Sequence, residues 1–163
     1  MKSLVLLLIC LSCSLHPKDG DRRLKLTDIP SFLDSYKTYE DVDFFQKVKK
    51  KKTFYEVKYL EKGNEVSVKF DEFGNFQEEE KDTEFELLPL PLQLKIQDHL
   101  DSFYPKAKIH EVEIRLDEKR QKFIDVEIRH SSSSTKYWEL SFDSDGNSVG
   151  KKIENLDEIE TLN

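Results

Sequence analysis

The chain contains, at residues 66–75, the stretch Val66-Ser67-Val68-Lys69-Phe70-Asp71-Glu72-Phe73-Gly74-Asn75, and at residues 138–147 it contains Trp138-Glu139-Leu140-Ser141-Phe142-Asp143-Ser144-Asp145-Gly146-Asn147. Each stretch has apolar residues at every second position and ends in an acidic turn closed by Gly-Asn. Such alternation is typical of a strand with one buried and one solvated face, and the Gly-Asn pair indicates a hairpin turn. Because the whole pattern occurs twice, it predicts an internal repeat.

The flanking segments extend the repeat. Residues 54–59 and 123–128 alternate in the same way and predict further strands, as do residues 112–116 and, more weakly, 44–49. Ahead of these strands, apolar residues recur at three- and four-residue spacing, which predicts one amphipathic helix in each copy. The apolar helix positions are Leu26, Ile29, Phe32, Leu33 and Tyr36 in the first copy, and Leu92, Ile96, Leu100 and Phe103 in the second.

These patterns predict an α+β fold of two tandem units, each an N-terminal helix packed on an antiparallel sheet of three to four strands. The predicted first unit covers residues 26–86 and the second covers residues 87–154, followed by a C-terminal tail at 155–163. Pro89 and Pro91 mark the boundary between the units. Residues 78–86 carry six acids, and we interpret them as a solvated linker.

The first thirteen residues, 1–13, are predicted to be a signal sequence, and residues 14–25 a tether to the folded part. Lys2 gives a positive start, and an unbroken apolar run follows at residues 4–11. That run is far shorter than the roughly 20 residues needed to span a bilayer, so it is typical of a secretory signal. We therefore expect an exported protein.

The end of the signal sequence predicts a lipid anchor. Leu11-Ser12-Cys13 resembles a bacterial lipobox, in which the cysteine is lipidated and becomes the mature N-terminus, so we predict lipidation of Cys13. One alternative is ordinary signal-peptide cleavage near Ser12 or Ser14, which would give free secretion. Another is a redox pair of Cys10 with Cys13, which the apolar surroundings disfavour.

The composition limits the classes of function. The chain has 163 residues, of which 37% are hydrophobic and 36% charged, with a formal net charge of −7. The acidic balance disfavours nucleic acid as a partner, because proteins that bind nucleic acid usually carry a basic face. Both cysteines lie in the signal sequence, so we expect core burial rather than disulfides to stabilise the folded part.

The residue types that build active sites do not come together in the sequence. The four histidines, His16, His99, His110 and His130, show no spacing typical of metal ligands, and a glycine-rich phosphate loop is missing. We therefore expect no enzymatic activity, no cofactor and no metal. One alternative concerns residues 143–147, which resemble the start of a calcium loop, although Ser148 stands where such a loop requires glycine.

The two turns, with the aromatic residues that close the helices, carry a resemblance to a known family. Residues 69–75 and 141–147, together with Tyr39 and Tyr104, make residues 26–154 similar to the PepSY-like family of bacterial envelope proteins. That family is related to the tandem fold of the β-lactamase inhibitor protein (BLIP). The resemblance implies two helix-plus-sheet units side by side, an envelope location and no catalytic residues. It also implies binding or inhibition of another exported protein.

The alternation assigns the strand residues to two faces. We expect the helices to cover the face that carries Tyr55, Val57, Val66, Val68, Ile124, Val126, Trp138 and Leu140. The other face then carries Phe54, Glu56, Lys58, Ser67, Lys69, Phe123, Asp125, Glu127, Arg129, Tyr137, Glu139 and Ser141. Binding hot spots favour Trp, Tyr and Arg, so we predict a protein-contact patch of Phe54, Phe123, Arg129 and Tyr137. The alternative is a solvated face with scattered aromatic residues.

The leading hypothesis is an exported, lipid-anchored, non-catalytic binding or inhibitory module of the bacterial cell envelope, whose partner is another exported protein. The lysines at positions 47 and 49–52 could also contact anionic lipid headgroups, with a solvated loop as the alternative. A structural or stress-related envelope protein without a specific ligand is the second hypothesis, and an enzyme the third. A deep pocket with converging polar groups would favour the enzyme.

Overall fold

The computed structural model describes residues 21–49, 51–129 and 136–155. The predicted signal sequence, the lipidation site Cys13 and most of the predicted tether lie outside these residues. His16, His130 and all but the first residue of the predicted C-terminal tail also lie outside them. Among the residues described, no helix has the length and apolar character needed to cross a membrane.

The described chain contains nine strands, one α-helix and three short 3-10 helices. The strands are β1 (Asp21–Arg23), β2 (Asp43–Lys49), β3 (Lys52–Glu61), β4 (Asn64–Asp71), β5 (Phe76–Thr83), β6 (Lys108–Leu116), β7 (Lys122–Arg129), β8 (Lys136–Asp143) and β9 (Ser148–Asn155). The α-helix, α1, is Leu90–Phe103, and the 3-10 helices are Leu26–Asp28, Ser31–Thr38 and Phe85–Leu87. The strands follow one another in the sheet in chain order, each antiparallel to the next.

The nine strands form one continuous sheet, so the predicted fold class, two tandem units that each pack a helix on a separate sheet of three to four strands, is wrong. Strand β5 makes the sheet continuous, because it pairs with β4 on one side and with β6 on the other. Its residues 78–83 belong to the acidic stretch, 78–86, that we interpreted as a solvated linker. Both of its faces carry charged residues, so no apolar period in the sequence indicated a strand.

The helical segment before β2 also differs from the prediction. The predicted amphipathic helix is divided into two 3-10 helices at Ile29 and Pro30, which both have extended backbone angles. Proline disfavours helical geometry in the residue before it and cannot donate a hydrogen bond to a preceding turn. As a result Ile29 and Leu33 are buried, whereas Leu26 is 69% exposed.

The second predicted helix is confirmed as α1. Leu92, Ile96 and Leu100 form its buried stripe, as the three- and four-residue spacing predicts. Phe103, which the same spacing placed on the stripe, is instead 70% exposed at the end of the helix. Proline is present in its first turn, where the missing N–H has no helical acceptor. The helix ends at Phe103, just before the Tyr104–Pro105 pair, because a residue before proline avoids helical angles.

The buried helical residues pack on one face of the sheet. Val66, Lys81, Ile114, Ile124 and Phe142 lie directly opposite one another from β4 to β8, so they share this face. Two hydrophobic clusters lie on it, one beneath the 3-10 helix Ser31–Thr38 and one beneath α1. The residues expected under the helices are confirmed there: Val57, Val66, Val68, Ile124, Val126 and Leu140 are buried, while Tyr55 and Trp138 pack against the clusters.

The two acidic turns have the same hydrogen bonds. Asp71 Oδ1 accepts from the backbone N–H groups of Phe73 and Asn75 at 2.9 and 2.8 Å, and Oδ2 accepts from Asn75 Nδ2 at 2.8 Å. Asp143 accepts the corresponding three bonds in its own turn. These bonds, chiefly the one from the asparagine side chain, hold the pKa of both carboxyl groups below its usual range. Strands β8 and β9 pair antiparallel on either side of residues 143–147, so this turn is the hairpin that the sequence predicted.

Candidate binding face

The open face of the sheet, defined as the face opposite the helices, is the candidate binding surface. Ser67, Glu80, Arg115, Phe123 and Asp143 lie directly opposite one another across it. The twelve residues that the sequence assigned to this face are confirmed on it by the strand register. Three of its polar side chains are nevertheless buried, namely Glu56, Ser67 and Asp125. Buried charges require partners, so the ion pairs on this face determine its chemistry.

In the half of the open face formed by β1 to β4, opposite charges meet. Lys47 Nζ lies 2.6 Å from Glu56 Oε2 and 3.4 Å from Asp21 Oδ2. Ser67 Oγ donates to the other oxygen of Glu56 at 3.0 Å. Burial opposes the ionisation of Glu56, but the bonds from Lys47 and Ser67 keep its pKa below the usual range. Lys47 therefore neutralises Glu56 and Asp21 within this half, whereas Lys69 of β4 binds Glu78 and Glu80 of β5, each at 2.8 Å.

The other half contains three acids without such partners. We call Asp82, Glu111 and Glu113 the acidic triad; each contributes a carboxylate oxygen within 4.8 Å of the others. In the ranges that the structure describes, none of the three makes an ion pair or a side-chain hydrogen bond. Burial, followed by the carboxylates of Glu80, Glu111, Asp82 and Asp125, raises the pKa of Glu113 to about 8. Burial and Glu111 also raise the pKa of Asp82.

A bulge in β6 brings a histidine next to the triad. The pairing of β6 with β7 shifts between Ile109 and Glu111, which inserts His110 beside the Glu111–Glu127 pair. His110 Nδ1 lies 3.3 Å from Glu127 Oε1, and its ring lies 5.1 Å from that of Tyr137. His110, Glu111 and Glu127, like the acidic triad, are residues that could hold a divalent cation. Neither group was predictable from the sequence, because only the strand register brings its residues together.

The structure brings together two of the four residues predicted as a contact patch. Arg129 and Tyr137 are cross-strand neighbours, with the guanidinium carbon 5.4 Å from the ring centroid. Phe123 lies at the opposite end of β7, under Arg115 at 4.7 Å. Phe54 lies on β3, four strands and roughly 19 Å from β7. The role of all four residues in binding stays a prediction, but they do not form one patch.

A cavity of about 530 Å³ opens beside the bulge. It lies between α1, the 3-10 helix Phe85–Leu87 and the beginning of β6, and its lining includes Gln97, Lys108, His110 and Glu111. It shares His110 and Glu111 with the open face. Leu100 of α1 and Val112 also line it, so the cavity belongs to the helix-covered side of the sheet and not to the candidate surface.

The lysine-rich segment is partly used within the fold. Lys47 forms ion pairs with Asp21 and Glu56. Lys49 and Lys52 lie opposite each other in the register of the β2–β3 hairpin. Lys50 lies outside the described residues. Contact of this segment with a membrane stays a prediction.

The fold is similar to solved structures from Bacteroides species. For a DUF2874 family protein from Bacteroides ovatus the TM-score is 0.61 at 15% sequence identity, with 81% of this chain and 88% of that chain covered. A BLIP-like protein from Bacteroides fragilis has a TM-score of 0.55 at 20% identity, with coverages of 76% and 82%. A protein from Bacteroides eggerthii, proposed to be periplasmic, has a TM-score of 0.58 at 12% identity, with coverages of 76% and 88%.

No protein-family model matches the chain, and no curated protein matches it in sequence. At these low identities the structural likeness concerns the fold alone. The relationship to the BLIP-like fold that the sequence resemblance implied is confirmed. Membership of the PepSY-like family stays a prediction.

Proposed function

We propose that this chain is a non-catalytic binding module of the bacterial cell envelope that holds another exported protein on its open face. The observation that carries the proposal is the one-sided sheet. Helices cover one face, whereas in the described ranges the opposite face carries none and spans nine strands, roughly 38 Å. A surface of this width can supply the roughly 800 Å² per partner of a standard protein interface.

Two further observations support the proposal, one for a protein partner and one for the location. Arg129, Tyr137 and the ring of His110 form a contiguous group on the open face, and arginine and tyrosine are enriched at binding hot spots. The BLIP-like and the proposed periplasmic structural neighbours support an envelope location. The proposal has two more specific parts: the module inhibits its partner, and a lipid on Cys13 anchors it to the membrane.

Site-specific photo-crosslinking in the cells that produce the protein tests the proposal. A benzophenone amino acid replaces Tyr137 on the open face or, as the matched control, Asp98 on the exposed side of α1. We expect one discrete exported protein to be crosslinked from position 137 and not from position 98. Arg129→Ala should reduce the yield about tenfold, as loss of a hot-spot side chain does. Equal crosslinking from both positions, or none from position 137, would contradict the proposal.

The anchor is tested separately by the intact mass of the protein in the membrane fraction. We expect a diacyl or triacyl increment that is absent from Cys13→Ala. An unmodified mass beginning near Ser14 would mean free secretion, and the open-face proposal would then apply to a secreted module.

A further inference from the structure

The two halves of the open face differ in charge. From β1 to β4 the strand positions on this face carry Asp21, Asp43, Glu56, Glu65 and Asp71 against Arg23, Lys47, Lys49, Lys52, Lys58 and Lys69. From β5 to β8 they carry Glu78, Glu80, Asp82, Glu111, Glu113, Asp125, Glu127, Glu139 and Asp143 against Lys108, Arg115 and Arg129. Two cations from the flanking strands add to this: Lys69 of β4 binds Glu78 and Glu80, each at 2.8 Å, and Lys152 of β9 lies 3.5 Å from Glu139. The first half is balanced, whereas the second, which we call the acidic half, has a large excess of carboxylates.

Acids in the acidic half lie directly opposite one another. Asp82 pairs with Glu113, and Glu113 pairs with Asp125 on the next strand. In the neighbouring row, Glu127 lies between Glu111 and Glu139. Like charges in directly opposed positions destabilise a sheet, whereas opposite charges there stabilise it. Arg115 forms its ion pair with Asp125, at 2.5 Å, so in the described part of the chain no cation forms an ion pair with the acidic triad. Lys58 acts on Asp82 only at longer range, and it lowers the pKa of Asp82 less than burial and Glu111 raise it.

This arrangement is a local conflict with the fold, because the acids of the triad face other acids near the middle of the sheet. In the first half Lys47 pairs with Glu56 and Lys58 with Glu65, and like charges oppose each other at Lys49 and Lys52, at the end of a hairpin. Such conflicts concentrate at functional sites, where an external group supplies what the fold omits. The raised pKa of Glu113 has the same cause, since burial and neighbouring carboxylates disfavour its ionised form.

We infer that the acidic half of the open face binds a basic segment of the partner protein, in an extended conformation with lysine or arginine at alternate positions. This inference rests on the proposed function and names the chemistry of the partner. The acids recur at every second residue of β5, β6 and β7, so along each strand they lie about 6.8 Å apart. An extended segment presents alternate side chains at the same spacing, so that its cations face the carboxylates.

The probe is a fluorescent decapeptide of alternating lysine and serine, titrated with the full chain in about 0.1 M salt, where exposed charges are screened beyond roughly 10 Å. The test variant is Asp82→Asn with Glu111→Gln and Glu113→Gln. The control, Glu72→Gln with Asp98→Asn and Glu118→Gln, removes the same charge from exposed positions off the open face. We expect the test variant to bind about tenfold more weakly and the control to stay within about twofold of the original chain.

Equal weakening in the two variants would overturn the inference, because net charge alone would then explain binding. Stoichiometric binding of Ca²⁺ at 1 mM that displaces the peptide would also overturn it in favour of a cation site. Should the triple variant fail to fold, Glu111→Gln alone, at an exposed position, is expected to weaken binding about threefold. No weakening in that single variant would also overturn the inference.

The crosslinking experiment separates this inference from the proposed function. A protein captured from position 137 whose crosslinked segment has no excess of lysine and arginine would refute the basic partner and leave the proposed function intact. Absence of any captured exported protein would refute the proposed function, and the inference with it.

Discussion

The carboxyl group of Glu113 lies at the centre of the sheet between Asp82 and Asp125, and this position determines its behaviour. The sequence predicts that Glu113 lies on the open face of the sheet, because the apolar residues Val112 and Ile114 flank it in β6. Which acids lie opposite depends on the register and on the bulge at His110, and neither can be read from a single strand. The face of this residue was therefore predictable, but its electrostatic environment was not.

We expect Glu113→Gln to stabilise the protein at alkaline pH and to leave it nearly unchanged at acidic pH. The pKa of Glu113 is raised from 4.5 to about 8 in the folded protein. Between these values the folded chain retains a proton that the unfolded chain has lost, so stability falls as the pH rises. Glutamine mimics the protonated acid and removes this loss. The gain should reach about 1–3 kcal/mol at pH 9, because solvent screening reduces the full effect of the shift.

Chemical denaturation at pH 5 and pH 9 measures this difference. Glu118→Gln, in the exposed β6–β7 turn, is the control and should show no pH-dependent gain. A gain of the same size at both pH values would show that packing, rather than the proton of Glu113, explains the effect.

At the scale of elements, the acidic turns position the helices. An added Cβ at Gly74 would meet the ring of Phe32 at 2.9 Å, and at Gly146 it would meet Lys95 and Leu92 of α1 at 3.1 to 3.3 Å. The repeated turn was predictable as a hairpin from its sequence. Its second role, close contact with the overlying helix, was not, because the contact joins segments about 40 to 50 residues apart in the sequence. Each glycine therefore serves both the turn and the packing of a helix on the sheet.

We expect Gly74→Ala to destabilise the protein more than Gly63→Ala does. Both glycines have positive φ angles, +84° and +88°, so alanine is strained at either position by about 1 kcal/mol. An added Cβ at Gly63 meets open space, whereas one at Gly74 meets the ring of Phe32. Gly74→Ala alone should therefore carry a further overpacking cost of about 1–2 kcal/mol. Thermal unfolding of both variants tests this. Phe32→Leu in the Gly74→Ala background should recover part of the loss, and equal costs at the two positions would refute the packing role.

For the whole molecule, the alternation in the sequence correctly assigned residues to the buried and open faces, because a period of two depends only on local geometry. The continuity of the sheet was not predictable in the same way. It depends on β5, whose charged residues are stabilised by pairing with β4 and β6 rather than by apolar burial. Two separate hydrophobic clusters thus share one hydrogen-bonded sheet.

A continuous sheet predicts that the two clusters unfold together. Leu33 is fully buried in the first cluster, and Leu33→Ala should cost about 2–5 kcal/mol. Trp138, the only tryptophan in the sequence, packs against the second cluster. If the molecule unfolds cooperatively, Leu33→Ala lowers the unfolding midpoint seen by Trp138 fluorescence as much as the midpoint seen by far-UV circular dichroism. Different probes of a two-state transition give the same midpoint. Leu26→Ala, at a position 69% exposed, is the control and should change stability by less than about 0.5 kcal/mol. An unshifted Trp138 transition beside a biphasic dichroism curve would instead show that β5 does not couple the two clusters, and that each unfolds with its own part of the sheet.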